Sequence, residues 1–596
     1  MIRLRSYLCL FYSLFNALGI VSLIHGQDSE TLSSIFEEYW AFEMENNPFS
    51  ATFSGIHSYN DRVPDASPQA RERERATREA FRDRLFKIDR DAISQSEAMS
   101  VEILNFILKH DIASAAFEPW RIPFVSDSGF HTTFGYVVSA TPFETEEDYR
   151  QYLKRLERLP RFLEQNKANM EMGLADGFSQ PQAIIENLLP SFEALAEADA
   201  DEHPYTRPFR SMPETIEETV RREIEESGLR IMRQTTLPAL KDIARFMRRE
   251  YLPRARETLG ATALPDGQGY YESRVRYFTT LDDATAEEVH DIGAKEVARI
   301  RQEMERIIAS LDFEGDFKGF LEFLRTDERF YAKTAGELIM RASWISKKAD
   351  GRLPAFFGKL PRQPYSVEAV PPELAPNYTG GRYVPASPSA SRGGRYWVNT
   401  FALDKRPLYQ LVALTLHEAV PGHHLQMSLA YEIESVPEFR KRFYPHAFGE
   451  GWGLYAEALG VEMGLYETPY DHFGRLSYEM WRACRLVVDT GIHAKGWSRQ
   501  QAIDYLASNT ALSLHEVGTE IDRYIAWPGQ ALAYKIGELA IWELRKEAEE
   551  TLGENFDIRA FHDKILEQGG LPLEALRKRV RAFVELSASE YRSGVN

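Results

Sequence analysis

Apolar residues recur three and four apart, with charged residues between them, over 29–46, 66–93, 97–113, 146–172, 212–256 and 283–309. That spacing is the period of a helix with one buried face, so each stretch predicts an amphipathic helix. Proline and glycine punctuate the pattern, as in FSATFSGIHSYNDRVPDAS (49–67), which predicts a loop entering the next helix. No fixed period repeats along the chain, which argues against a solenoid. The texture changes from about 352 to 401, where Pro, Gly, Tyr and Ser dominate. Within it YSVEAV (365–370) and GRYWVNTF (394–401) are alternating or β-branched and aromatic, and predict short strands. The turn-rich stretch between them predicts a long loop, either over a cleft or as a plain surface excursion. Helical patterning returns after Pro407 and runs to the end, broken near 421, 496 and 528. The predicted fold is therefore mainly α, with one small sheet flanked by helices.

The N-terminus departs from this pattern. Arg3 and Arg5 precede the apolar run LCLFYSLFNALGIVSLI (8–24), and Gly26 offers a small residue for cleavage. Residues 1–26 thus predict a secretory signal peptide, with an uncleaved N-terminal anchor as the alternative because the run is long and Ile24 is not small. No other stretch has the length to span a bilayer, so no stable membrane insertion is expected after cleavage. No lipobox-like cysteine follows the run, which argues against a lipoprotein. The expected product is exported, periplasmic or extracellular, with a helical region over 27–260 and a catalytic region over 261–596 forming one unit. Cys9 lies in the leader, so Cys484 is left alone in MWRACRLVV (480–488) and predicts a buried structural thiol rather than a nucleophile. The formal charge of −19 becomes −21 once the leader's two arginines are removed. Such a chain repels nucleic acid and anionic lipid, and neither is an expected partner.

The chemistry concentrates in LHEAVPGHHLQ (416–426). His417 and Glu418 open an H-E-x-x-H pattern, which sets two zinc-binding histidines on one helix face, but Pro421 stands where the second histidine belongs. On a regular helix His417 and His424 lie about 10 Å apart along the axis, and His423 points roughly 120° away from His417. Neither arrangement lets two imidazoles share a zinc ion about 2 Å from each. Pro421 and Gly422 disfavour a regular helix in any case. Extruding that pair brings His423 into the missing register; extruding three residues selects His424 instead. Glu418 then faces the attacking water as general base. On the next helical stretch, FGEGWGLYAE (448–457), Glu450 and Glu457 are seven apart, so one can bind a metal and the other can orient a ligand. Glu450, between two glycines, is the expected third ligand. His515–Glu516 has no second histidine and no expected metal role.

The run H-E-x-x-P-G-H-H-L-Q followed by E-G-W-G-L-Y-A-E resembles domain-of-unknown-function family 885, which in turn resembles the gluzincin metallopeptidases. SGIHSYNDRVPDAS (54–67), RLVVDTGIHAKGWSRQQAIDYL (485–506) and DRYIAWPGQALAYKIGELAIWELR (522–545) extend the resemblance over nearly the whole mature chain. It implies a large multi-helix gluzincin-like architecture, with the small sheet beside the active-site helices and a deep cleft. It also implies that Glu450 matches the third zinc-ligand glutamate, and that Tyr534 matches a tyrosine that stabilises the oxyanion. The family supplies no substrate.

Further candidates follow from residue type. His493, four residues after Asp489, can bond that carboxylate on a helix and so be held for substrate contact. Arg482, Arg485, Arg523 and Arg545 can bind a substrate carboxylate, and Tyr524 sits with Tyr534 around a Pro-Gly break. The strand GRYWVNT can pair with an extended peptide. The expected function is a zinc-dependent metallopeptidase acting on short peptides, with one Zn2+ per chain. Two alternatives are a zinc hydrolase of other small amides or esters, and an inactive peptide-binding protein. The intact Glu418 argues against the last.

Overall fold

A computed structural model describes residues 31–372, 374–375, 378–386 and 392–593. The expected signal peptide and its cleavage site lie outside the described residues. Among those described, no helix is long and apolar enough to cross a membrane.

The chain is mainly helical, and side chains that occupy the orphan N–H groups of the first turn set where many helices begin. Ser67 caps Pro68–Phe86 by accepting from Ala70 N–H. Capping boxes at Ser94 and Glu97, Thr145 and Asp148, and Thr285 and Glu288 open Gln95–Ala115, Glu146–Asp176 and Ala286–Ser310. The stretch expected to be helical over 212–256 starts later, at Glu218, and carries π turns at Met232–Thr236 and Met247–Tyr251. Five helices of ten or more residues lie outside the predicted stretches: Phe130–Ala140, Gln182–Glu197, Gly267–Thr279, Phe317–Thr326 and Ala335–Asp350. Phe130–Ala140 lacks a charged face, whereas Gln182–Glu197 keeps apolar residues three and four apart despite Pro190.

The sheet has three strands: β1 (Tyr365–Ala369), β2 (Gly381–Val384) and β3 (Gly394–Val398), in the order β1-β3-β2. β1 runs parallel to β3 and β2 antiparallel to it. Two expectations change here. β2 lies in the stretch predicted as loop, because four residues between glycines and prolines are too few to show alternation. GRYWVNT forms the central strand, so both of its edges are already paired and it cannot take up a peptide. Asn399 N–H donates to Gly380 O at 2.9 Å, which sets the phase of the β2–β3 ladder. Gly381 and Tyr383 therefore turn their backbone N–H and C=O groups away from β3.

Burial forms one large core, a second core and two small satellite clusters. The helices over 31–46, Pro68–Phe86 and Gln95–Ala115 pack with residues 261–584, whereas most buried apolar residues of 124–255, with Phe49 and Ala66, form the second core. Cys484 lies in the large core, fully buried and unpaired, and burial pushes its thiol up. The helices His446–Glu462 and Ala533–Leu552 cross backbone to backbone. A Cβ on Gly537 would sit 1.7 Å from Ala447 O, and one on Gly451 would sit 2.5 Å from Gly537 Cα. Gly537→Ala is expected to cost roughly 1–3 kcal/mol, as overpacking does. Thermal unfolding checks this, and an unshifted midpoint would show that the crossing tolerates the methyl group.

Candidate metal centre

The interrupted motif resolves as two short helices. Leu411–Glu418 ends at the glutamate, residues 419–422 leave the helical path, and His423–Tyr431 begins anew. The interruption is four residues rather than the expected two, with a cis Val420–Pro421 bond inside it. His424 N–H donates to Ala419 O at 3.1 Å, joining the two helices across the break. Gly422 is required sterically, since a Cβ there would lie 1.9 Å from His417 O. This path brings the rings of His417 and His423 to 4.6 Å, nearly perpendicular. His424 turns the other way, placing Nδ1 3.0 Å from the Tyr383 hydroxyl and its ring 4.4 Å from that of Tyr365.

Glu450 completes the cluster from the helix His446–Glu462. Its Oε2 lies 3.4 Å from His417 Nε2 and 3.4 Å from His423 Nε2. Ligand atoms of the three residues lie within 4.8 Å of one another, the one such group of His, Cys, Asp and Glu found among the described residues. The spacing is informative. Charge-assisted hydrogen bonds are about 2.7–2.9 Å long. Two ligands about 2.0–2.1 Å from a tetrahedral ion stand about 3.3–3.4 Å apart, which is the separation present. The donor set of two imidazoles and one carboxylate also suits zinc.

Glycines in GEGWG admit the neighbours. A Cβ on Gly449 would lie 2.1 Å from Tyr444 Cζ, and one on Gly453 would lie 2.5 Å from His417 Cε1. Two turns along the helix from Glu450, Glu457 Oε1 accepts a hydrogen bond from His417 Nδ1 at 2.8 Å, and Arg482 pairs with the same oxygen at 3.0 Å. This carboxylate fixes the ring so that Nε2 faces Glu450. Burial opposes charge on Glu450, yet the two imidazoles hold its carboxyl well below the usual range. Burial likewise opposes charge on His417, but Glu450 and Glu457 outweigh it and push the ring up to about 10. The cluster is thus electrostatically built to hold positive charge.

Glu418 stands outside the three. Its Oε2 accepts the Tyr383 N–H at 2.7 Å, so the free edge of β2 holds the carboxylate beside His417. That contact follows from the ladder phase and could not be read from the sequence. Tyr444 was also missed, since FYPHAF (443–448) carries no motif. Its ring lies 6.1 Å from that of His423, and burial, with Glu450 and Tyr534 close by, raises its hydroxyl well above the tyrosine range. Tyr534 accepts a hydrogen bond from Arg523 at 3.3 Å on this same side.

The other expected contacts are spent elsewhere. His493 and Asp489 do not pair. The ring accepts from Ala261 N–H at 2.9 Å and donates to Tyr524 O at 2.9 Å, while Asp489 accepts from the Tyr271 hydroxyl and from Gly529 N–H. Helical spacing permitted the pair, but backbone groups of neighbouring segments satisfy both side chains. Arg482 serves Glu457, Arg485 pairs with Glu520 at 2.8 Å, and Tyr524 accepts from Trp481 and Arg485. Arg545 is held by Glu462 and Glu549, each at 2.8 Å. These groups act on the protein's own side chains.

Similar proteins add little chemistry. No curated protein matches the chain. Several solved structures do. One, "the putative lipoprotein from Colwellia psychrerythraea", is 26% identical, with a TM-score of 0.88 over 94% of this chain and 100% of its own. Another, "a putative lipoprotein of unknown function from Shewanella oneidensis", is 17% identical, with a TM-score of 0.72 over 92% of this chain and 99% of its own. The family model described as "Bacterial protein of unknown function (DUF885)" matches residues 48–580, and the chain belongs to that family.

Proposed function

We propose that the protein is an exported zinc-dependent hydrolase, a metallopeptidase that cleaves short peptides in a gluzincin-like cleft. The observation that carries this reading is the pair of 3.4 Å separations from Glu450 Oε2 to the two histidine Nε2 atoms. His417, His423 and Glu450 would hold one zinc ion, and Glu457 orients His417 through its Nδ1. Zinc bound there supplies Lewis acidity, polarising a carbonyl and acidifying water. Glu418 takes a proton from the attacking water as the oxygen bonds to the carbonyl carbon. It returns that proton to the leaving nitrogen as the C–N bond breaks. Tyr444 or Tyr534 would donate its hydroxyl to the developing oxyanion. A peptide is favoured over other amides by β2, where the Gly381 N–H and C=O and the Tyr383 C=O, turned away from β3, suit an extended chain. Export is supported by the apolar leader-like run at 8–24 and by the lipoprotein names of the two similar structures. This chain has no cysteine just after that run, so a lipid attachment is not part of the reading.

The test is zinc analysis of the purified chain beside Glu457→Gln. One zinc per chain is expected, bound roughly 10–100-fold more weakly in the variant, as loss of a ligand-orienting carboxylate costs. A wild type that holds none after being offered zinc would sink the reading.

A further inference from the structure

We propose that the substrate carries a free carboxylate, clasped by Arg382 and Arg523 beside Glu418, so that cleavage occurs near a peptide's C-terminal end. The inference rests on the hydrolase reading for the cleavage and on the two guanidinium groups for the binding.

Arg382 is the β2 residue just before Tyr383, whose N–H holds Glu418. Its side chain is exposed, and among the described residues it has no carboxylate partner within ion-pair distance. Its guanidinium rests over the Tyr378 ring at 5.4 Å. Tyr378, Arg523, Glu418 and Asp127 all lie near enough to bear on its charge.

Arg523 approaches from the helix Leu514–Ala526 and is 22% exposed. It bonds neutral groups, Gln530 at 3.0 Å and the Tyr534 hydroxyl at 3.3 Å. Its nearest carboxylate, Glu520, is 3.6 Å away, and the other oxygen of Glu520 is committed to Arg485 at 2.8 Å. Arg485 in turn is buried with one guanidinium nitrogen, Nη1, lacking a hydrogen-bond partner. Arg485 and Arg523 therefore share one close carboxylate, and Arg523 is among the charged groups that bear on Arg382. Two guanidiniums bordering one site can each bond an oxygen of a carboxylate. A carboxylate bound there brings the adjoining peptide bonds to Glu418, which selects C-terminal rather than internal cleavage.

The experiment compares N-acetyl-trialanine with its C-terminal amide on the full chain. Binding is measured by calorimetry with chelator present, so that turnover does not intervene. The acid is expected to bind about tenfold tighter or more than the amide. Arg382→Gln and Arg523→Gln should each bring that ratio toward one, and Arg382→Lys should keep part of it. The amide serves as the internal reference for a folded site. Equal binding of acid and amide, binding of neither, or a ratio that survives both glutamine variants would overturn the proposal. Failure of the hydrolase reading looks different: zinc-loaded chain cleaves neither peptide, while the preference for the acid in binding remains.

Discussion

Glu418→Gln is expected to retain one zinc per chain while hydrolysis falls by roughly a hundredfold to ten-thousandfold, the range associated with a lost general base. The metal should stay because Glu418 contributes no atom to the His417, His423 and Glu450 cluster. The fold should stay because glutamine keeps the size of the side chain and an oxygen for the Tyr383 N–H, which the carboxylate now accepts at 2.7 Å. What glutamine cannot do is take a proton. Peptide turnover and zinc content measured on the same preparation check both halves. Undiminished turnover in a zinc-loaded variant would remove Glu418 from the chemistry.

Glu450→Ala is expected to abolish stoichiometric zinc binding. The carboxylate is the only anionic member of the cluster and the one atom pair, through Oε2, equidistant from both imidazoles. Without it two neutral donors remain, and the loss should exceed the roughly 10–100-fold that outer carboxylates cost. The fold is not expected to follow the metal, since the surrounding helix is anchored by the Gly451–Gly537 crossing rather than by Glu450. His424→Ala is the matched control. Its ring faces Tyr383 and Tyr365, away from Glu450, so zinc content should be unchanged. Zinc retained at one per chain in Glu450→Ala would break the assignment of the cluster as a metal site.

The apolar period of 3.6 and the caps at Ser67, Ser94, Thr145 and Thr285 made the long amphipathic helices legible in the sequence, because both signals lie within a few residues of one another. Phe130–Ala140 was harder to read, since its outer face carries no charge to contrast with the buried one. The strand β2 was missed because of its shortness. At the centre, the Pro-Gly break beside paired histidines announced a distorted helix, and the glycines flanking Glu450 announced a close approach. Both are local features.

Partnership was another matter. Nothing within 416–457 states that the break spans four residues, that the His424 ring meets Tyr383 of the sheet, or that the β2 edge would hold Glu418. Asp489 and His493 had ideal spacing and still did not pair, because Tyr271, Gly529, Ala261 and Tyr524 reached them from other segments. By itself, the sequence determined which residues could carry chemistry and where the backbone had to bend. Only the tertiary structure decided which groups meet, because a hydrogen bond or a shared ion depends on ångström distances between segments remote in the chain, and local spacing does not specify those.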